Sequence, residues 1–124
     1  MNVKDILSEG EQILFKAQQH RVVPGGKEVT PGQIFVTNER IILETSSMLG
    51  IKKDYIDLPY SDIMSLELKK NVFSSEIILQ SRFQGEIHMK ALGKKEAQEA
   101  ERLINERRSN SGFSRSDNNN KRDR

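Results

Sequence analysis

The stretch Gly32–Thr45, "GQIFVTNERIILET", decides the fold, because two short apolar runs flank a two-residue polar break. β-Branched and aromatic residues placed this closely on both sides of a break are typical of an antiparallel hairpin. We interpret "QIFV" and "RIILET" as its strands and "TNER" as a tight turn. Asn38 tolerates the left-handed backbone that hairpin turns need, while Glu39 is a poorer choice than glycine, so the turn type stays open. Ile34 and Val36 then face the second strand, and one face of the hairpin packs toward the core.

Two further runs alternate apolar and polar residues with a period of two, which indicates half-buried strands. The apolar positions are Ile13, Phe15 and Ala17 in the first run and Met64, Leu66 and Leu68 in the second. Three more strands are predicted in "YIDLP", "SSEIILQS" and "GEIHMK", the first of them ended by Pro59, which cannot donate a ladder hydrogen bond.

The pattern changes after Gly93, where "KKEAQEAERLINERR" is rich in helix-forming residues. Its apolar residues recur at steps of three and four and predict a narrow helix face for contact with another surface. This face consists of Ala97, Ala100, Leu103 and Ile104. The last sixteen residues, 109–124, are polar and of low complexity, and we expect them to be disordered.

These elements predict a mainly β fold, in which about seven antiparallel strands curl into a bent, closed barrel and one C-terminal helix caps its end. The chain has 124 residues, which is the length of one domain. We place that domain at residues 1–108 and treat residues 109–124 as a basic tail.

The formal charge of +2 is unevenly distributed. Residues 108–124 carry five basic and two acidic groups, a net of +3, which leaves −1 for residues 1–107. A nearly neutral body argues against a nucleic-acid-binding domain, which needs a strongly basic face. The tail can touch nucleic acid or an acidic membrane without specificity, with Phe113 adding one contact, or it is a solubilising end.

Four stretches in this order resemble the prokaryotic pleckstrin-homology (PH)-like domains, the group of bacterial PH and YokE-like proteins related to GRAM domains. They are "LSEGEQIL", "GQIFVTNERIIL", "IDLPYSDIMSLEL" and the helix end "AQEAERLINERR". The resemblance spans residues 7–107 and implies a seven-stranded bent barrel capped by a helix. It also implies a non-enzymatic module that binds lipid headgroups, peptides or other copies of itself.

The resemblance marks six residues as a structural motif: Thr37, Asn38, Arg40, Pro59, Tyr60 and Asp62. We predict that Arg40 and Asp62 form a salt bridge between the hairpin and the following link, the alternative being that each is solvated. Tyr60 is predicted to pack beside Pro59 with its hydroxyl at the surface.

Basic residues in predicted loops and at the end of one predicted strand are candidates for binding an anionic ligand. They are Arg21, Lys27, Lys52, Lys53, Lys69 and Lys70. Arg21 and Lys27 lie in "HRVVPGGKEVTPGQ", which lacks the dense basic pattern of phosphoinositide-binding PH domains. The lysine pairs form a weak anionic-lipid patch if the fold brings them to one rim, or they protect strand ends from edge pairing.

No catalytic or cofactor motif is present. There is no cysteine, and His20 and His88, the only histidines, lack neighbouring residues in sequence that would complete a metal site. His88 alternates with Ile87 and Met89 and is predicted on the solvent face of a strand. We therefore expect no enzyme activity, no cofactor and no metal.

The sequence favours a cytoplasmic, non-enzymatic module that acts through protein contacts and self-associates into a homo-oligomer. Neither a secretory signal nor a membrane span is expected in the chain. The first alternative is peripheral binding to anionic lipid through a lysine rim and the basic tail. The second is nucleic-acid binding, either weakly through the tail or to single strands, since small five-stranded barrels of the OB type look similar.

Overall fold

The computed structural model describes residues 3–19, 31–46 and 53–110. The elements in chain order are a 3₁₀ helix (Val3–Ile6), β1 (Ile13–Gln18), β2 (Gln33–Thr37), β3 (Arg40–Ser46), β4 (Lys53–Pro59), a second 3₁₀ helix (Tyr60–Asp62), β5 (Ile63–Lys70), β6 (Ser75–Ser81), β7 (Gly85–Leu92) and α1 (Lys94–Asn110). The predicted seven strands and C-terminal helix are confirmed. The helix ends at Asn110, two residues beyond the predicted domain boundary.

The strands form two antiparallel sheets, ordered β1-β2-β3-β4 and β5-β6-β7. Within each sheet consecutive strands are neighbours, so the chain is a meander that changes sheets at the second 3₁₀ helix. In the described part of the chain no strand pairing joins the two sheets. The prediction of a closed shell is therefore wrong: two bent sheets face each other across the core.

The predicted β2–β3 hairpin is confirmed, and in its register Ile34 lies opposite Leu43 and Val36 opposite Ile41. These four side chains face the main core between the sheets. The other face of the hairpin is covered as well, because Phe35 and Ile42 pack with the N-terminal 3₁₀ helix in a second cluster. The prediction that one face of the hairpin packs toward the core is thus correct but incomplete. Because the apolar runs are unbroken, they place apolar side chains on both faces of the hairpin, and both faces are buried.

Bulges displace one residue from each of the two alternating runs. A register break between Ile63 and Ser65 turns Met64 outward, where it is 57% exposed. A second break between Ile13 and Phe15 sends Ile13 to the second cluster, while Phe15 packs on the main core. Assigning Met64 and Ile13 to the same face as their runs was wrong, because an inserted residue reverses the side to which a strand's side chains point.

Helix α1 packs across the end of the core against β5, β1 and β6. Ala97, Ala100 and Ile104 have no exposed surface, and Leu103 packs on the same cluster at the edge. The two alanines let the helix axis approach the sheets closely. Glu96 in the first turn and Arg107 in the last complement the helix dipole.

Candidate functional site

The residues of the structural motif converge where the β2–β3 turn meets the segment before β1. Arg40 at the start of β3 donates from Nε to Oε2 and from Nη2 to Oε1 of Glu11, each at 2.9 Å. Its Nη2 also donates to the Ile6 carbonyl at 2.7 Å, and its Nη1 to Asp57 Oδ1 at 2.5 Å. One guanidinium therefore joins the N-terminal segment, the hairpin and β4.

The carboxylate of Glu11 is fully enclosed, with no exposed side-chain surface. It also accepts from the Ser8 amide at 2.9 Å and from the Thr37 hydroxyl at 2.7 Å. The hydrogen bond from Arg40 is the main cause that lowers the pKa of Glu11 from 4.5 to about 2, against the opposing effect of burial. The same partner raises the pKa of Arg40. A buried carboxylate with every oxygen satisfied stabilises the fold and has no free site for a reactant.

The β2–β3 turn is held by side chains rather than by a left-handed backbone. Thr37 Oγ1 accepts from the amides of Glu39 and Arg40 at 3.0 and 2.9 Å. Asn38 has a negative φ, so the explanation that asparagine is needed here for a left-handed backbone is wrong. The side-chain Oδ1 of Asn38 accepts from the backbone amide of Gln12 at 2.8 Å, and the backbone amide of Asn38 donates to the Gln12 carbonyl. These two hydrogen bonds join the turn to the residue that precedes β1.

Tyr60, in the second 3₁₀ helix, is buried, and its hydroxyl donates to the Thr37 carbonyl at 2.5 Å. The prediction of a surface hydroxyl is therefore wrong. Burial raises the pKa of Tyr60. Pro59 pairs with Arg40 at the end of β4. Asp62 accepts from the Arg82 amide through its backbone carbonyl at 2.8 Å, and in the described residues it forms no ion pair with Arg40, whose carboxylate partners are Glu11 and Asp57.

The six predicted anionic-ligand residues are not seen as one cluster. Arg21, Lys27 and Lys52 lie outside the described residues, as does His20. Lys53 begins β4, and its Nζ lies 3.7 Å from Glu44. Lys69 and Lys70 end β5 in the other sheet and are exposed. Within the described chain these three lysines occupy two different sheets.

The predicted helix contact face is part of the intramolecular core. Ala97, Ala100 and Ile104 are covered by the sheets, so these side chains are not available to a second protein.

The outer edge of strand β5 is open to a partner. Among the described residues β5 pairs with β6 alone, and its other edge has no strand partner. Met64 is exposed on β5, and Arg108 of α1 donates to its carbonyl at 3.3 Å.

Two turns carry exposed aromatic side chains. Val72 and Phe73, between β5 and β6, are 76% and 93% exposed. Phe83, between β6 and β7, is 75% exposed. Neither turn was predicted from the sequence to be a site. The available signal was the presence of two adjacent apolar residues in a turn, where polar residues are usual.

His88 lies on the outer face of the β5–β7 sheet as predicted, although it is half-buried. Its Nδ1 lies 2.6 Å from Glu76 and its Nε2 lies 2.9 Å from Glu86. Across the described ranges, no group of three or more His, Cys, Asp or Glu side chains is arranged to hold a metal ion. Residues 3–19, 31–46 and 53–110 also contain no helix with the length and apolar character needed to cross a bilayer.

Comparison with solved structures agrees with this architecture. The chain is similar to a DUF1696 family protein with a pleckstrin-homology domain from Shewanella loihica PV-4, at 23% identity and a TM-score of 0.60. The match covers 83% of this chain and 84% of the other. A likeness at this identity shows a shared fold only.

A search of curated proteins found no match. The family model described as "Bacterial PH domain" matches residues 7–106, which include all seven strands and most of α1. The resemblance to bacterial PH domains that the four stretches carry is thereby confirmed, and this chain belongs to the bacterial PH domain family.

Proposed function

We propose that this protein is a non-enzymatic binding module that acts through protein contacts, and that it self-associates by pairing β5 with β5 of a second copy. PH domains are in general binding modules without catalytic activity, which supports the first part. The observation that carries the second part is the unpaired outer edge of β5 in the described structure. Such an edge presents backbone donors and acceptors to another strand.

The other sheet edges are less suited to strand addition. The edge of β4 ends at Pro59, and proline deters pairing at an edge because it cannot donate a ladder hydrogen bond. β7 is bent near its end by Ala91, which has a φ of 60°. β1 is regular only after its bulge, over four residues.

The β5 edge is regular and contains no proline. From Ser65 to Lys70 its pairing with β6 is continuous, so six residues form an extended and even edge. Most of these side chains are exposed, and the two leucines between them pack against the core and hold the strand in place.

The charges along β5 complement themselves in an antiparallel pair. Glu67 and Lys69 are both exposed and, two residues apart, lie on the same face. If two β5 strands pair about a two-fold axis at Leu68, Glu67 of each copy faces Lys69 of the other. Cross-strand pairs of opposite charge contribute roughly 0.2–1 kcal/mol each, and like charges in the same positions destabilise the pair.

Charge reversal tests this arrangement. The molar mass of the full chain, measured by light scattering during size-exclusion chromatography, should rise above the monomer value of 14.2 kDa with concentration. Glu67→Lys and Lys69→Glu should each remain monomeric alone, because each places like charges opposite one another. Mixed together they should assemble, because the opposed charges are again complementary.

Glu9→Lys is the matched control, since it reverses an exposed acidic residue far from β5 and should assemble like the wild type. A wild-type protein that stays monomeric at all concentrations would refute self-association. Single variants that assemble as well as the wild type would refute the β5 arrangement.

A further inference from the structure

The turn between β5 and β6 presents an apolar tip to solvent. Lys70 pairs with Ser75, and the Asn71 amide donates to the Ser74 carbonyl at 2.8 Å, so Val72 and Phe73 form the apex of the hairpin. Both are among the most exposed apolar side chains in the described chain. Exposed apolar groups that are adjacent and flanked by polar residues mark interaction sites.

Basic residues adjoin this tip. Lys69 and Lys70 precede it directly, both exposed, and neither forms an ion pair with another described residue. Glu76 is the cross-strand neighbour of Lys69, but its carboxylate is bonded to His88 at 2.6 Å. An apolar apex with cationic flanks complements an anionic lipid surface, which takes apolar side chains between its headgroups and attracts lysine.

The β6–β7 turn provides an internal comparison. Phe83 is similarly exposed, with Arg82 beside it, but it is a single apolar residue and not one of an adjacent pair. The two turns lie at opposite ends of β6, about 20 Å apart at roughly 3.3 Å per residue. A surface that receives one tip therefore need not touch the other.

We propose that the Val72–Phe73 tip inserts into the headgroup region of an anionic membrane, with Lys69 and Lys70 against the lipid headgroups. This binding goes beyond the protein contacts proposed above. Pairing of two β5 strands would engage Lys69 and place Lys70 opposite Leu66 of the second copy, but it would leave Val72 and Phe73 exposed beyond the end of the strand, so substitutions at Phe73 separate the two interactions.

Vesicle sedimentation of the full chain tests the insertion. The wild type should bind vesicles of phosphatidylcholine mixed with phosphatidylserine, and more weakly those of phosphatidylcholine alone. Phe73→Ser should weaken binding at least about tenfold, since the burial of an aromatic side chain is lost. Each of Lys69→Gln and Lys70→Gln should weaken it about fivefold. Phe83→Ser is the matched control and should bind as the wild type does.

Fluorescence supplies an independent readout, because the chain contains no tryptophan. In Phe73→Trp, the emission should shift to shorter wavelength on addition of anionic vesicles, and in Phe83→Trp it should not. No wild-type binding would overturn the proposal. Equal binding by the Phe73→Ser and Phe83→Ser variants would also overturn it and assign the attraction to charge elsewhere on the chain or to a protein ligand of the tip.

Discussion

Glu11 and Arg40 are joined by two parallel hydrogen bonds of 2.9 Å, although 29 residues separate them in the sequence. The carboxylate is completely enclosed, and the guanidinium side chain is 16% exposed. This pair connects the segment before β1 to the first residue of β3. It explains why an arginine follows the β2–β3 turn.

Replacing Glu11 by glutamine should lower the free energy of unfolding by about 3 kcal/mol. Glutamine has the shape of glutamate, but it removes the negative charge that balances the guanidinium of Arg40, which is largely shielded from solvent. Urea unfolding monitored by circular dichroism measures the change. Glu9→Gln, an exposed acidic residue two positions away, should change stability by less than about 0.5 kcal/mol. Equal effects of the two substitutions would show that the Glu11–Arg40 pair does not stabilise the fold.

The same pair predicts a loss of stability in acid. The pKa of Glu11 is about 2 in the folded protein, against an ordinary value of 4.5. The unfolded chain therefore takes up this proton more readily, and about 3 kcal/mol of stability, fully present above pH 4.5, is lost as the pH falls to about 2. Denaturant unfolding across this range should show a shallower pH dependence for Glu11→Gln than for the wild type. Identical slopes would contradict the assignment.

Tyr60→Phe should destabilise the protein by about 1–2 kcal/mol, because it removes the buried hydrogen bond to the Thr37 carbonyl. Tyr55→Phe is the control, as its hydroxyl bonds to Glu44 in a partly exposed position and should cost less than about 1 kcal/mol. Thermal unfolding of the two variants gives the comparison. A larger effect at Tyr55 would show that the buried hydrogen bond from Tyr60 to Thr37 is not the more stabilising of the two.

Ala100→Leu should destabilise the protein by about 2 kcal/mol, because the residue has no exposed surface and the added atoms would push α1 from the sheets. Asn105→Leu adds a similar side chain on the exposed side of the same helix and should have little effect. Urea unfolding distinguishes them. If Ala100→Leu is as stable as the wild type, the helix does not pack closely on the core.

The order of strands and the final helix could be predicted because the sequence alternates or repeats over runs of several residues. Met64 and Ile13 were assigned to the wrong face because a bulge arises from pairing with another strand and leaves no mark in the strand's own alternation. The inward helix residues Ala97, Ala100 and Ile104 could be predicted from their spacing, whereas the individual strands that the helix contacts could not.

The roles of the motif residues could not be derived in the same way. The partner of Arg40 is a carboxylate 29 residues away, and Asp62 was as reasonable a choice on charge alone. Glu11 stood in the acidic stretch "LSEGEQIL", but only the folded hairpin brings it to Arg40 and Thr37. Phe73 was passed over because exposure is a property of the turn's position in the fold.

Amide hydrogen exchange of β5 at low and high protein concentration tests the central claim most directly. If two copies pair along this strand, the outward-facing amides between Ser65 and Lys70 should exchange more slowly as the concentration rises, while those at the edge of β4 should not change. Exchange in β5 that is independent of concentration would contradict self-association through this edge.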